Sequence, residues 1–268
     1  MALTFVVVPQ WQGSGSSRAM QLVDGAEAIR GDLPSSATRV VEVPLEAGDG
    51  EGSGIERWSS VRVVHERLTD QLARLDGPAL TVGGDCGVEW AAVEHVIDRD
   101  IALVWFDAHP DLNSPAESTS GAFHGMVLRT LIERGLPAER VVLAGTRSFD
   151  DAESAYVAAS GIRHVPVPDL ATPDALLAAV EATGAREVYV HVDLDVLDPE
   201  EIAGLSHPEP FGLDGSSLST LIAALRDRFP LAGAGLMEFA PASPGAANDD
   251  LPVILRVIGA LTAPRPAP

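Results

Sequence analysis

Ile101-Ala-Leu-Val-Trp-Phe-Asp-Ala-His-Pro-Asp-Leu-Asn113 is the stretch on which the fold turns. Its first six residues are apolar, enough for a strand buried on both faces, and the run stops at Asp107. Asp107, His109 and Asp111 then recur at every second position, a spacing that in extended backbone puts all three side chains on one side. Two carboxylates and an imidazole leaving a hydrophobic strand together make a candidate metal site, although the string alone would also serve as a solvated loop. A second run decides between these. Val188-Tyr-Val-His-Val192 is again apolar, and Asp193, Asp195 and Asp198-Pro199 follow it. Clustered acids at the ends of buried strands repel one another unless cations hold them.

Outward from these runs, apolar segments predict further strands at 3–8, 39–43, 78–82, 140–144, 163–167 and 231–239. Helical spacing predicts helices at 17–30, 61–75, 124–134, 151–159, 173–182, 216–228 and 251–261, and one after Gly87 that ends at Val96. Strand and helix alternate and no composition break divides the chain, so residues 1–268 are expected to form a single α/β domain with helices on both faces of a parallel sheet. The Pro-rich tail 262–268 is expected to fray. In such sheets the active site lies beyond the carboxyl ends of the strands. Asp85, Cys86, the acids of 107–111 and 193–198, and Glu238 all fall there.

The chain has 268 residues and a formal charge of −21, from 18 basic and 39 acidic residues. That charge argues against nucleic acid or an anionic membrane as partner and mildly favours a cationic substrate. A single cysteine, Cys86, rules out an intramolecular disulfide and suits the cytoplasm. The N-terminus lacks a basic region before its short apolar run, so it reads as a first strand and not as a signal peptide. No apolar run approaches the roughly 18 residues of a membrane span. Gly83-Gly84 is too short to be a phosphate-binding loop.

The motifs resemble those of the arginase, or ureohydrolase, superfamily. They are Gly83-Gly84-Asp85-Cys86 (Gly-Gly-Asp-His in that family), Asp107-Ala108-His109-Pro110-Asp111, His124-Gly125, Asp193-Leu194-Asp195-Val196-Leu197-Asp198-Pro199 and Glu238. The resemblance implies a three-layer α/β/α domain with an eight-stranded, mostly parallel sheet, assembled as trimers or hexamers. It implies a pair of Mn²⁺ ions: Asp107 and Asp193 would bridge both, His109 and Asp195 would complete one site, and Asp111 and position 86 the other. The implied reaction is hydrolysis of an amidine C–N bond in a guanidino substrate, releasing urea or a related product, with water activated at the metal centre. Asp111 would orient the nucleophile, Glu238 would pair with the planar cation, and His124 would shuttle protons to the leaving amine. Asn113 and Ser120 match positions that contact an amino-acid carboxylate, and Asp150 an acid that helps receive the amino group. Outside that frame, His124 reads as an ordinary helix-start histidine and Glu238 as a strand-end acid.

Three departures matter. Cys86 stands where the family has a histidine ligand, and thiolate favours softer ions than Mn²⁺. The site could take a softer metal, it could bind Mn²⁺ weakly and leave one ion at His109, or Cys86 could be a small packed residue with catalysis impaired or lost. Ala122 replaces an asparagine that contacts the substrate carboxylate, which predicts weak arginine use or another guanidino substrate. Gly204-Leu205-Ser206-His207-Pro208 replaces a Gly-Thr-Gly-Thr-Pro string, and of two readings for His207, a place at the pocket mouth or at the surface, the surface is expected. The competing reading is a catalytically impaired relative that serves as a binding or regulatory protein. A deacetylase-type Zn²⁺ hydrolase is a third, opposed by the retained Asp111 and the second acidic motif.

Overall fold

The computed structural model describes residues 3–264, so the last four residues of the tail expected to fray lie outside the described residues. The elements in order are β1 (Thr4–Val8), α1 (Gln21–Asp32), β2 (Thr38–Val40), α2 (Trp58–Leu72), β3 (Ala79–Gly83), α3 (Glu89–Glu94), β4 (Ile101–Phe106) and α4 (Val127–Glu133). They continue with β5 (Val141–Ala144), α5 (Asp151–Ser160), β6 (Arg163–Val165), α6 (Asp174–Glu181), β7 (Glu187–Asp193), α7 (Gly215–Arg228), β8 (Leu231–Met237) and α8 (Ala247–Thr262). The strands form one eight-stranded sheet in the order β2-β1-β3-β8-β7-β4-β5-β6, and every pairing is parallel.

The continuous apolar runs are explained by burial on both faces. All six residues of β4 are buried. Ala102, Val104 and Phe106 join one core, with α1, α6, α7 and α8; Ile101, Leu103 and Trp105 join the other, with α2, α3 and α4. The result is a three-layer α/β/α arrangement. Each large side chain so buried contributes about 1.5–3 kcal/mol. α2 shows the helical version of the pattern, with Val61, Val64, Leu68 and Leu72 buried on one stripe.

Differences from the sequence reading lie at element ends. The second strand stops at Val40, although Val41 N still donates to Val7 O at 2.9 Å. α1 starts at Gln21 because residues 17–20 form turns. The chain enters α3 through a single 3₁₀ turn, Cys86–Val88. No described helix is long and apolar enough to cross a membrane.

α7 begins with a strong cap. Asp214 accepts hydrogen bonds from the amides of Ser216 and Ser217 and from both hydroxyls. These donors, the Ser216 hydroxyl foremost, hold its carboxyl well below the usual carboxylate range. Asp214→Ala is expected to cost about 1 kcal/mol at neutral pH, read from urea unfolding. Because the folded-state pKa is depressed, this contribution is full above the unfolded value and disappears as pH falls below about 4. A mutant as stable as the parent at pH 7 would show that the cap contributes nothing.

Candidate metal centre and cleft

β3, β8, β7 and β4 are neighbours in the middle of the sheet, and parallel pairing opens their carboxyl ends on one side. After β3 the backbone passes close to the loop following β1: Asp85 N donates to Gln10 O at 3.0 Å, and a Cβ at Gly84 would overlap the Gln10 carbonyl. Glycine is required there by contact. The Asp85 carboxylate accepts from Gln10 Nε2 at 2.8 Å, Gly13 N at 2.9 Å and Gly87 N at 2.9 Å. Burial raises its pKa to about 6. Its hydrogen bonds anchor the loop at residues 10–13, so Asp85 organises the cleft wall and is not placed to bind a metal.

The extended backbone expected through 107–111 is not what brings those side chains together. After Phe106 the chain bends, with His109 N donating to Asp107 Oδ1 at 2.6 Å, and Asp111 adopts a left-handed φ of 52°. A carboxylate that bonds the amide two residues on turns the chain, which straight alternation cannot anticipate. Glu238 also has positive φ, 66°, with its amide donating to Gly84 O at 2.8 Å. Such conformations cost of order 1–3 kcal/mol each and persist only where surroundings over-determine them. Both acids line the same cavity of about 190 Å³, with His109, Asn113, His124, Gly125, Glu153, Asp193, Asp195 and His207. That is below the roughly 300–1,000 Å³ of drug-sized pockets and is the size for a small molecule.

Among the described residues, three groups of donors converge at the cavity floor. They are Cys86, Asp107 and His191; Cys86, Asp193 and Glu238; and Asp107, His109 and Asp195, the ligand atoms of each lying within 4.8 Å of one another. Asp107 is common to the first and third groups, Cys86 to the first two. Trp105 Nε1 donates to Asp107 Oδ2 at 3.0 Å, Ala108 N to Asp195 Oδ1 at 3.0 Å, and Asp195 N to Asp193 Oδ1 at 2.8 Å, which fixes the carboxylates in place. His109 Nδ1 lies 2.9 Å from Asp195 Oδ2.

The protonation states show what this crowding does without a cation. Burial, then the neighbouring acids, pushes Asp193 and Asp111 well above the usual carboxylate range and Asp195 to about 6. Burial also pushes the Cys86 thiol up, and its Sγ–H donates to Asp193 Oδ2 at 3.2 Å. Burial works against a charge on His109, yet the Asp107 and Asp195 carboxylates raise it to about 12. The buried Asp111 Oδ2 and Glu238 Oε2 have no hydrogen-bond partner among the described residues. Acids too close to be ionised together, with acceptor atoms left over, fit a site for divalent cations.

The substrate-end residues are brought together less well. Asn113 lines the cavity, but its Nδ2 donates to Asp150 Oδ2 at 2.8 Å. Asp150 does not line it; the side chain caps α5 in a capping box with Glu153. Ser120 is turned to its own backbone, accepting from Ala122 N at 3.2 Å. Asp198 also leaves the cleft, accepting from Glu200 N at 3.0 Å and Gly212 N at 3.1 Å to hold a turn. His207, expected at the surface, is in the cavity wall with a buried Nε2. Asp250 places it there: its carboxylate accepts from Ala203 N at 3.0 Å and Gly204 N at 2.9 Å, tying the preceding loop to α8. His191, Glu89 and Glu153 were not singled out from the sequence. The histidine inside an apolar run was the one visible signal, since a buried imidazole must have partners.

An acidic crevice at the carboxyl ends of the parallel sheet in a three-layer α/β/α fold, with imidazole and thiol among the acids, makes a candidate site for divalent cations. The arginase family profile matches residues 25–251, and the chain belongs to that family. It is 27% identical to the Nω-hydroxy-L-arginine amidinohydrolase of Streptomyces lavendulae over 264 residues, 92% of this chain and 93% of that protein. It is 28% identical to an arginase of Staphylococcus aureus strain MRSA252 over 197 residues, 65% of this chain and 64% of that protein. Among solved structures, Entamoeba histolytica arginase in complex with L-ornithine superposes with a TM-score of 0.85 at 20% identity, covering 98% of this chain and 99% of that one. Formimidoylglutamase of Bacillus subtilis superposes with a TM-score of 0.77 at 16% identity, covering 99% and 88%.

Proposed function

We propose that this protein is a metal-dependent amidinohydrolase that cleaves a C–N bond of a small guanidino compound and releases urea or a substituted urea. The observation that carries this reading is the pairing of Glu238 with His124 in the wall of the acidic cavity. Glu238 Oε1 lies 3.2 Å from His124 Nδ1, while the buried Oε2 has no hydrogen-bond partner. A carboxylate with a spare buried oxygen suits the N–H donors of a planar cation.

Divalent cations held by Asp107, His109, Asp193, Asp195 and Cys86 would lower the pKa of water at the site. The unpartnered Asp111 Oδ2 accepts a proton of the attacking water and orients it toward the guanidinium carbon held by Glu238. His124 is buried, which opposes its charge, but the Glu238 hydrogen bond raises its pKa. Its proton goes to the departing amine, so the C–N bond breaks without expelling an anion. The test is release of urea, a substituted urea or formamide from metal-loaded protein with arginine, Nω-hydroxyarginine, agmatine, guanidinobutyrate and formiminoglutamate. Release from none of them rejects the proposal. It would leave the second reading, a non-catalytic relative, which the neutral buried thiol at position 86 favours.

The α-amino-acid end of such a substrate has few free partners here. The Asn113 amide is engaged by Asp150, and residue 122 offers no side-chain donor. Arginine KM is therefore expected above about 1 mM, high for enzymes in general. A restored hydrogen bond to a carboxylate contributes about 1.5–3 kcal/mol. Ala122 is 5% exposed, so a larger side chain must displace its surroundings. The lower figure applies, and Ala122→Asn should lower arginine KM about tenfold. An unchanged KM would mean that the carboxylate is bound elsewhere.

A further inference from the structure

His191 belongs to β7 and points beneath the cavity floor, where it is fully buried. Its Nδ1 lies 3.2 Å from Glu89 Oε1, and the other Glu89 oxygen accepts from the Tyr189 hydroxyl at 2.6 Å. Glu89 is itself fully buried, and a Cβ at Gly235 would overlap its carboxylate. Space for this acid is therefore built into β8. Trp105 stacks on the imidazole at 3.5 Å between ring centres and fixes the ring plane. In the tautomer that carries its proton on Nδ1, toward Glu89, Nε2 presents its lone pair on the opposite side. It lies 3.8 Å from Cys86 Sγ and 3.7 Å from Asp107 Oδ2.

A carboxylate behind one nitrogen of a buried imidazole, with other donors facing the second nitrogen, is the arrangement that orients metal-binding histidines. The distances fit as well. With zinc–sulfur bonds of about 2.3 Å and zinc–nitrogen or zinc–oxygen bonds of about 2.0–2.1 Å in tetrahedral geometry, donor atoms stand roughly 3.4–3.6 Å apart. The two separations from His191 exceed that by a few tenths of an ångström, and the ligand atoms of Cys86 and Asp107 lie within 4.8 Å of each other.

We propose that the imidazole missing at position 86 is supplied from β7, so that His191 Nε2, Cys86 Sγ and Asp107 form a nitrogen–sulfur–oxygen site for a thiophilic divalent ion, Zn²⁺ or Co²⁺, in preference to Mn²⁺. This rests on the metallohydrolase reading and deepens it. Glu89 is then a positioning residue: it holds the tautomer of His191 and touches no metal. One imidazole and one thiolate on the same ion suit borderline-soft cations, whereas carboxylates alone would suit Mn²⁺.

The test uses the full chain stripped of metal and titrated with Co²⁺. A thiolate-to-cobalt absorption band is expected at the first site filled, and Cys86 is its one possible cysteine source. His191→Gln should weaken the Co²⁺ affinity of that band at least tenfold, and Glu89→Gln should weaken it by roughly 10–100-fold. If either variant fails to fold, X-ray absorption of the unmutated zinc-loaded protein decides: one ion must show both sulfur and imidazole in its shell. A zinc shell without sulfur, or with sulfur and no imidazole, overturns the proposal. So does an unchanged cobalt band in folded His191→Gln. Urea release is scored separately, so a mixed-ligand site in a protein that hydrolyses no guanidino compound would reject the function and leave the site standing.

Discussion

Asp107→Asn is expected to abolish urea release and strip the protein of metal in one step. Asp107 is the carboxylate shared by the Cys86–His191 group and the His109–Asp195 group, so one substitution weakens both. Replacing a residue that only orients a ligand costs roughly 10–100-fold in metal affinity or activity. Loss of a ligand common to two groups should exceed that range. The fold should survive. Trp105 Nε1 and His109 N each donate to a different Asp107 oxygen, so the asparagine leaves one donor without its acceptor. That penalty of about 1–3 kcal/mol is smaller than the roughly 5–15 kcal/mol that holds a domain folded. Elemental analysis and circular dichroism of the variant check both halves. A folded variant that keeps its full metal content would remove Asp107 from the centre.

Glu238→Gln should lower kcat/KM for guanidino substrates about 10–100-fold, the worth of roughly 1.5–3 kcal/mol for a hydrogen bond to a charged group. The amide keeps an acceptor for Cys86 N, which now donates to Oε1 at 3.3 Å, but loses the charge. A second signature separates this role from a merely structural one. Among the interactions with other groups, the Glu238 hydrogen bond and charge do most to hold the His124 pKa up, against burial. Removing that charge lowers it. Activity that needs protonated His124 falls as pH rises through its pKa, so the alkaline limb of the pH–rate profile should move to lower pH in the variant. A loss of rate with an unmoved alkaline limb would detach His124 from Glu238 in the mechanism.

Cys86 shows where sequence reading and structure part. As a residue type it signalled a missing imidazole and a softer donor. In the folded chain it lies within reach of His191, which is 105 positions away and on another strand. His191 could be read as buried, because the residues around it are apolar. Its partners could not be, since Glu89 reaches it only because α3 packs under β7 and β8 and because Gly235 leaves room. Asp150 is the converse case. The family resemblance implies a substrate contact for it, but a strong helix-capping position and the Asn113 amide claim its oxygens. Local hydrogen bonds competed with the predicted use and prevailed.

The sequence by itself determined the architecture and the strand ends at which chemistry gathers. Doubly buried parallel strands need uninterrupted apolar runs, and a carboxylate can follow such a run only where the strand leaves the core. Which acids face one another and that His191 stands beside Cys86 were decided by tertiary structure alone. These are distances between strands β3, β4, β7 and β8, set by their order in the sheet, and no spacing along one strand encodes the neighbour it will have.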